Sequence, residues 1–132
     1  MDFDATSNAI IGAAIRVHSE LGPGLLESAY RACLQHELVL QGVRVQAELP
    51  LPITYRGLRI DVGYRVDLLV EERVIVELKV VERLLRVHDA QLLAYLKLSG
   101  LQVGLLLNFH VPYLRLGIKR MVNDYRGASS CG

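Results

Sequence analysis

Apolar side chains recur every three or four residues through the first forty positions, and from Val43 the period drops to two. In DATSNAIIGAAIRVHSELGPG, Ile10, Ile11, Ala14, Val17 and Leu21 share one helical face. Asp, Thr, Ser and Asn ahead of them are helix-capping types, and Gly-Pro-Gly closes the run. Leu26, Ala29, Tyr30, Cys33, Leu34, Leu38 and Leu40 predict a second helix that stops at Gly42. VRVQAELPLPITY then alternates as a strand, but Pro50 and Pro52 each remove a ladder donor, which places it at a sheet edge or gives it a bulge. Tyr55 to Leu58 reads as a turn with Gly57 free to take positive φ. Two strands follow, about Arg59 to Val70 and Val74 to Val81, joined tightly through Glu71, Glu72 and Arg73. HDAQLLAYLKLSG predicts a third helix, LQVGLLLNFHV a continuously buried strand and YLRLGIKRMV a final alternating one. The order α-α-β-β-β-α-β-β predicts one mixed α/β layered domain over residues 1–124, with a frayed polar tail over 125–132.

Composition narrows the class without changing that picture. The chain has 132 residues, 52% hydrophobic and 22% charged, enough for a single core. A formal net charge of +1 gives no support to a strongly cationic nucleic-acid clamp, although a local basic patch is compatible with it. The acidic N-terminus MDFDATSNAI lacks the positive charge of a secretory signal, and no apolar run approaches the roughly 20 residues that span a bilayer. Cys33 and Cys131 are too few for a disulfide framework, and Cys33 is expected as a small core residue. The expectation is a cytoplasmic protein with no membrane segment.

Charge inside the apolar hairpin is the candidate chemistry. With the hairpin centred on Glu72, Asp67 lies opposite Glu77, with Cβ atoms about 4.5–5.5 Å apart. Asp67, Glu77 and Lys79 project from one face, and Val66, Leu68 and Val70 from the other. Leu69, Ile75 and Val81 share the charged face, so it is expected to be covered, by a helix for instance. Two opposed carboxylates under cover repel each other unless a cation or a proton compensates. Two compensations stay open on geometry alone: a hard divalent cation with Lys79 beside it, or an Asp67–Lys79–Glu77 salt-bridge network without catalysis. Two further constellations accompany the hairpin. Glu27 and Tyr30 stand three apart at the start of the second helix, where Glu27 also suits the helix dipole and can pair with Arg31. His88, Gln91 and Tyr95 form a polar stripe on the third, with His88 expected to cap it.

Asp67, nine residues, then Glu77-Leu78-Lys79 across a hairpin followed by a helix resembles the PD-(D/E)XK nuclease superfamily. Gly24-Leu-Leu-Glu27-Ser-Ala-Tyr30 resembles the signature of its GxxExxY branch, and the likeness runs from about Ile10 to Val122. The resemblance implies a restriction-endonuclease-like α-β-β-β-α-β core, here with an extra N-terminal helix and a C-terminal strand. It implies Mg2+ or Mn2+ held by Asp67, Glu77, the Leu78 carbonyl and Glu27. Lys79 would serve the attacking water or the phosphate charge, and Gln91, with Tyr95 beside it, would position the metal's water or the phosphate. Val66 stands where the superfamily's proline would be, a position that ligates nothing. The function implied is metal-dependent hydrolysis of phosphodiester bonds in DNA or RNA. The near-neutral charge keeps open the alternative, a non-catalytic nuclease-fold module in a complex, and the bare domain points to a second copy or a protein partner supplying substrate choice. Arg56, Arg59, Arg65, Arg83, Arg86, Lys97, Lys119 and Arg120 are the candidate phosphate contacts.

Overall fold

The computed structural model describes residues 1–123, so the tail expected to fray lies outside the described residues. The chain opens with helices α1 (Phe3–Leu21) and α2 (Glu27–Leu40). Asp2 accepts the Ala5 N–H at 2.7 Å and caps α1, because its carboxylate satisfies an amide the helix leaves unpaired. The helix therefore starts ahead of the capping-type run, and Thr6 and Ser7 lie buried within it.

Strands β1 (Val45–Pro50), β2 (Ile53–Tyr55), β3 (Leu58–Ile60), β4 (Arg65–Val70) and β5 (Val74–Lys79) follow. Helix α3 (Arg86–Ser99) then leads to β6 (Val103–Asn108) and β7 (Ile118–Val122). The main sheet has the order β1-β4-β5-β6-β7, with β5 and β6 parallel and the other neighbours antiparallel. The proline-bearing strand takes an edge, as its missing donors require. The architecture is thus mixed α/β, with a five-stranded sheet flanked by helices.

Three strand expectations are corrected: VRVQAELPLPITY is not one strand but β1 and β2, parted at Leu51 and Pro52 and placed in different sheets. The run from Arg59 to Val70 is not one strand: Gly63 has φ 88° and its N–H bonds the Asp61 carboxylate at 3.1 Å, so the chain turns there. Its first part instead pairs with β2 as a separate two-stranded hairpin, closed by Arg56 (φ 48°) and Gly57 (φ 83°). The final strand begins only at Ile118, after a 3-10 turn over Leu114–Gly117. Gly117 sits so close to β6 that a Cβ there would lie 2.2 Å from the Asn108 carbonyl oxygen, an approach only glycine allows.

Both faces of the sheet are covered. Helices α1 and α2 pack Ile10, Ala14, Tyr30, Leu34 and Leu38 against Leu68, Val76, Leu78 and Leu105. On the other face Leu92, Tyr95 and Leu96 of α3 meet Ile75 and Leu106. Burial of each such leucine or isoleucine contributes roughly 1.5–3 kcal/mol, and these two layers hold the charged hairpin between them. Cys33 is exposed on α2 rather than in the core, because the buried stripe of that helix runs through Tyr30, Leu34 and Leu38. Among the described residues, no helix is long and apolar enough to cross a membrane.

Candidate functional site

The β4–β5 hairpin takes the expected register, Leu68 opposite Val76 and Val70 opposite Val74. That register puts Asp67 level with Glu77, but the ladder ends one step earlier. The two carboxylates replace it. The Asp67 N–H donates to Glu77 Oε2 at 2.8 Å, and the Leu78 N–H donates to Asp67 Oδ2 at 2.9 Å. Each acid satisfies a main-chain amide freed by the splay, and Asp67 Oδ1 and Glu77 Oε1 remain outside those bonds. A strand residue turns its N–H and C=O to the same side, so the Leu78 carbonyl faces the same gap. The Lys79 carbonyl faces the other way and accepts the Phe109 N–H at 2.9 Å.

The same level of the sheet is irregular on the β1 side. Glu48, between the paired residues Ala47 and Leu49, has φ 51° and no ladder partner. Alternation would put Ala47 and Leu49 on one face; instead Ala47 packs under α1 and α2, and Leu49 under α3. Val66, expected to share the face of Leu68, changes sides with its partner Leu49 and joins the α3 layer.

Two cations meet the acids from different elements. Arg31 on α2 lies 3.6 Å from Asp67 and 3.1 Å from Glu48. From the sequence Arg31 is a partner only for Glu27; its position one turn further along the same face is the signal that it also reaches the acids. Lys79 Nζ donates to Gln91 Oε1 at 2.8 Å, and Gln91 Nε2 donates to the buried Tyr95 hydroxyl at 3.3 Å. Hairpin and α3 are therefore joined by polar side chains. Among the described residues, no ion pair links Lys79 to Asp67 or Glu77, so the three-membered salt bridge considered from sequence does not form.

Helix α2 brings the second constellation. Glu27 is its first residue, half-buried and close enough to Asp67 and Lys79 to feel both charges. Tyr30 points inward instead: its hydroxyl donates to the Gly22 carbonyl, accepts the Leu25 N–H at 3.1 Å, and its ring stacks on Phe109 at 4.5 Å. It fixes the loop that delivers Glu27. His88 accepts the Leu85 N–H at 2.9 Å, the capping role expected of it, and His18 is buried against the Val111 carbonyl.

The electrostatics show a cluster short of positive charge. Burial, with Asp67 next to it, pushes Glu77 up to about 8. Burial also raises Asp67, only partly offset by the Leu78 amide and Arg31, and burial and Asp67 raise Glu27. Burial and Glu77 raise Tyr95. Among the described residues, no three His, Cys, Asp or Glu side chains form a ready-made metal cluster. The donors on hand are Glu77 Oε1, Asp67 Oδ1 with Arg31 beside it, a carbonyl edge and Glu27 nearby. They are hard oxygens that suit a cation completing its shell with water, as Mg2+ does.

Comparison with known proteins agrees with the geometry. A model of the PD-(D/E)XK nuclease superfamily matches residues 4–121, and the chain belongs to that superfamily. The solved structure titled "Crystal structure of SSO0001" superposes with a TM-score of 0.50 and 19% identity, over 94% of this chain and 68% of its own, a likeness of fold. A search of curated proteins finds no match.

Proposed function

We propose that the protein is a Mg2+- or Mn2+-dependent nuclease of the GxxExxY branch, hydrolysing phosphodiester bonds of nucleic acid. The observation that carries this reading is the interlock of Asp67 and Glu77 at the splayed end of the hairpin. It holds two acidic groups together at a net energetic cost that a cation would remove. Asp67 and Glu77, with the Leu78 carbonyl and Glu27, would hold the metal. When bound, it supplies Lewis acidity towards the phosphodiester and lowers the pKa of water. Lys79, steadied by Gln91, presents an ammonium where negative charge develops on phosphorus-bound oxygens. Tyr95 fixes the Gln91 amide through its hydroxyl. Gly24 (φ 104°), Glu27 and Tyr30 support the branch assignment, the tyrosine by anchoring the turn and the glutamate by facing the acids.

The near-neutral charge is less of an objection once the chain is folded. Lys119 is paired with Asp89 and Arg120 with Asp4, which removes both from the phosphate candidates. Among the described residues, Arg56, Arg59, Arg65, Arg83 and Arg86 are exposed and form no ion pair with an acid. By register Arg65 stands level with Lys79, and the chain runs from Lys79 through Arg83 to Arg86. These groups therefore gather at the end of the sheet where the acids lie.

One observation favours the alternative of a non-catalytic module: Arg31 against Asp67 is a built-in counter-cation. The deciding experiment is cleavage of single- and double-stranded DNA and RNA with Mg2+ or Mn2+, against Lys79→Met and EDTA controls. Cleavage lost in both controls supports the nuclease; no cleavage of any substrate at saturating metal rules it out and leaves the module.

A further inference from the structure

The β2–β3 hairpin is the one part of the described structure that the fold does not explain. It is a continuation of the β1–β4 pair past the end of the sheet. Leu51 still bonds the Tyr64 carbonyl at 2.8 Å, and beyond that point Ile53 pairs with Ile60. One residue separates these pairings on the first strand and three on the second, so two extra residues bend the ribbon around the Asp61–Gly63 turn. Its base, Ile53 and Ile60, is half-buried, while its tip stands in solvent.

The composition of that tip is unlike a solubilising turn. Tyr55 is 63% exposed and Leu58, its cross-strand partner, 60% exposed, on one face of the ribbon. The Arg56 guanidinium lies 5.9 Å from the centre of the Tyr55 ring, and Arg59 projects from the opposite face. At the root, Tyr64 is 44% exposed and its ring sits 6.1 Å from that of Tyr95, which bonds Gln91, which bonds Lys79. A line of aromatic rings and unpaired arginines thus runs from the tip to the acidic site. Arginines alone fit the backbone of any nucleic acid, but exposed rings gain contact only with bases whose faces are open.

We propose that the β2–β3 ribbon grips an unpaired stretch of nucleic acid, stacking a base on Tyr55 and leading the strand past Tyr64 to the acids. The inference rests on the nuclease reading and adds strandedness to it. Helix-like duplex offers its phosphates to Arg56, Arg59 and Arg65 but keeps its base faces closed, so single strands or frayed ends are preferred.

The test is fluorescence anisotropy in EDTA with a labelled 15-nucleotide oligo(dT) and a 15-base-pair duplex, with cleavage of both followed separately in Mg2+ or Mn2+. Wild type is expected to bind the single strand more tightly than the duplex. Tyr55→Ala should weaken single-strand binding about fivefold or more and leave duplex binding unchanged, while Tyr55→Phe, which keeps the ring, binds as wild type. Circular dichroism of Tyr55→Ala confirms that the exposed substitution leaves the fold intact. Equal or tighter duplex binding, or a Tyr55→Ala variant that binds like wild type, overturns the ribbon proposal; duplex cleavage in that case leaves the nuclease standing. Absence of both binding and cleavage overturns both together.

Discussion

Glu77 illustrates how the site's chemistry is tied to its stability. Its folded pKa of about 8 lies above the ordinary 4.5, so between those values the folded chain keeps a proton that the unfolded chain gives up. Metal-free stability therefore falls as pH rises from about 5 to 8 and levels off above, because both states are then ionised. Glu77→Gln makes this slope shallower, leaving only what Asp67 and Glu27 contribute, while keeping an oxygen for the Asp67 amide. It is expected to raise metal-free stability at pH 8 by a few kcal/mol, on the order of the shift involved; chemical denaturation in EDTA at pH 5 and pH 8 measures it, and an unchanged slope would contradict the burial argument. Tyr30 belongs to the opposite category. Tyr30→Phe leaves the Gly22 carbonyl and the Leu25 amide without their partner and should cost about 1–3 kcal/mol; thermal melts against metal-binding isotherms separate that loss from any effect on the acids. At this scale the sequence was informative where spacing implies register, as for Asp67 opposite Glu77. It did not carry the approach of Arg31 to Asp67, which depends on how α2 crosses the sheet, and it misplaced Cys33 in the core, because its exposure depends on which stripe of α2 is buried.

Among the elements, the helices and the β4–β5 hairpin were legible because hydrophobic period and turn length are local properties. The errors lie where a non-local contact overrides the pattern. The Arg59–Val70 run alternates like a single strand, yet an Asx turn at Asp61–Gly63 divides it and releases a separate ribbon. YLRLGIKRMV alternates from its start, but its first part is wound into a 3-10 turn pressed on Asn108. Asn108 holds that corner: its Oδ1 accepts the Val81 and His110 amides and its Nδ2 donates to the Val81 carbonyl. A methyl group at position 117 would collide with backbone rather than with a side chain that can move aside. Gly117→Ala is therefore expected to lower stability by about 1–3 kcal/mol, read from urea midpoints; a neutral outcome would show that the corner relaxes.

For the whole molecule, near-zero net charge conceals a division of labour. Among the described residues, Arg16, Arg31, Arg44, Lys119 and Arg120 pair with acids. Of the exposed arginines outside these pairs, Arg65, Arg83 and Arg86 adjoin Lys79 in register or in sequence and Arg56 and Arg59 stand on the ribbon beyond that end of the sheet, whereas Arg73 lies at the opposite turn. If three to five of them neutralise phosphates, the logarithm of single-strand affinity should fall against the logarithm of salt with a slope of about −2 to −3.5; a flat dependence would remove electrostatics from binding. Superfamily membership and fold follow from the match over residues 4–121 and from the sheet order, and catalysis turns on whether the interlocked acids take up a cation. The most direct measurement is calorimetric titration of Mg2+ and Mn2+ into the wild type and into an Asp67→Ala/Glu77→Ala double variant. The account predicts saturable binding to the wild type alone, with a rise in Tm that the variant lacks. Equal binding to both, or binding to neither, would contradict it.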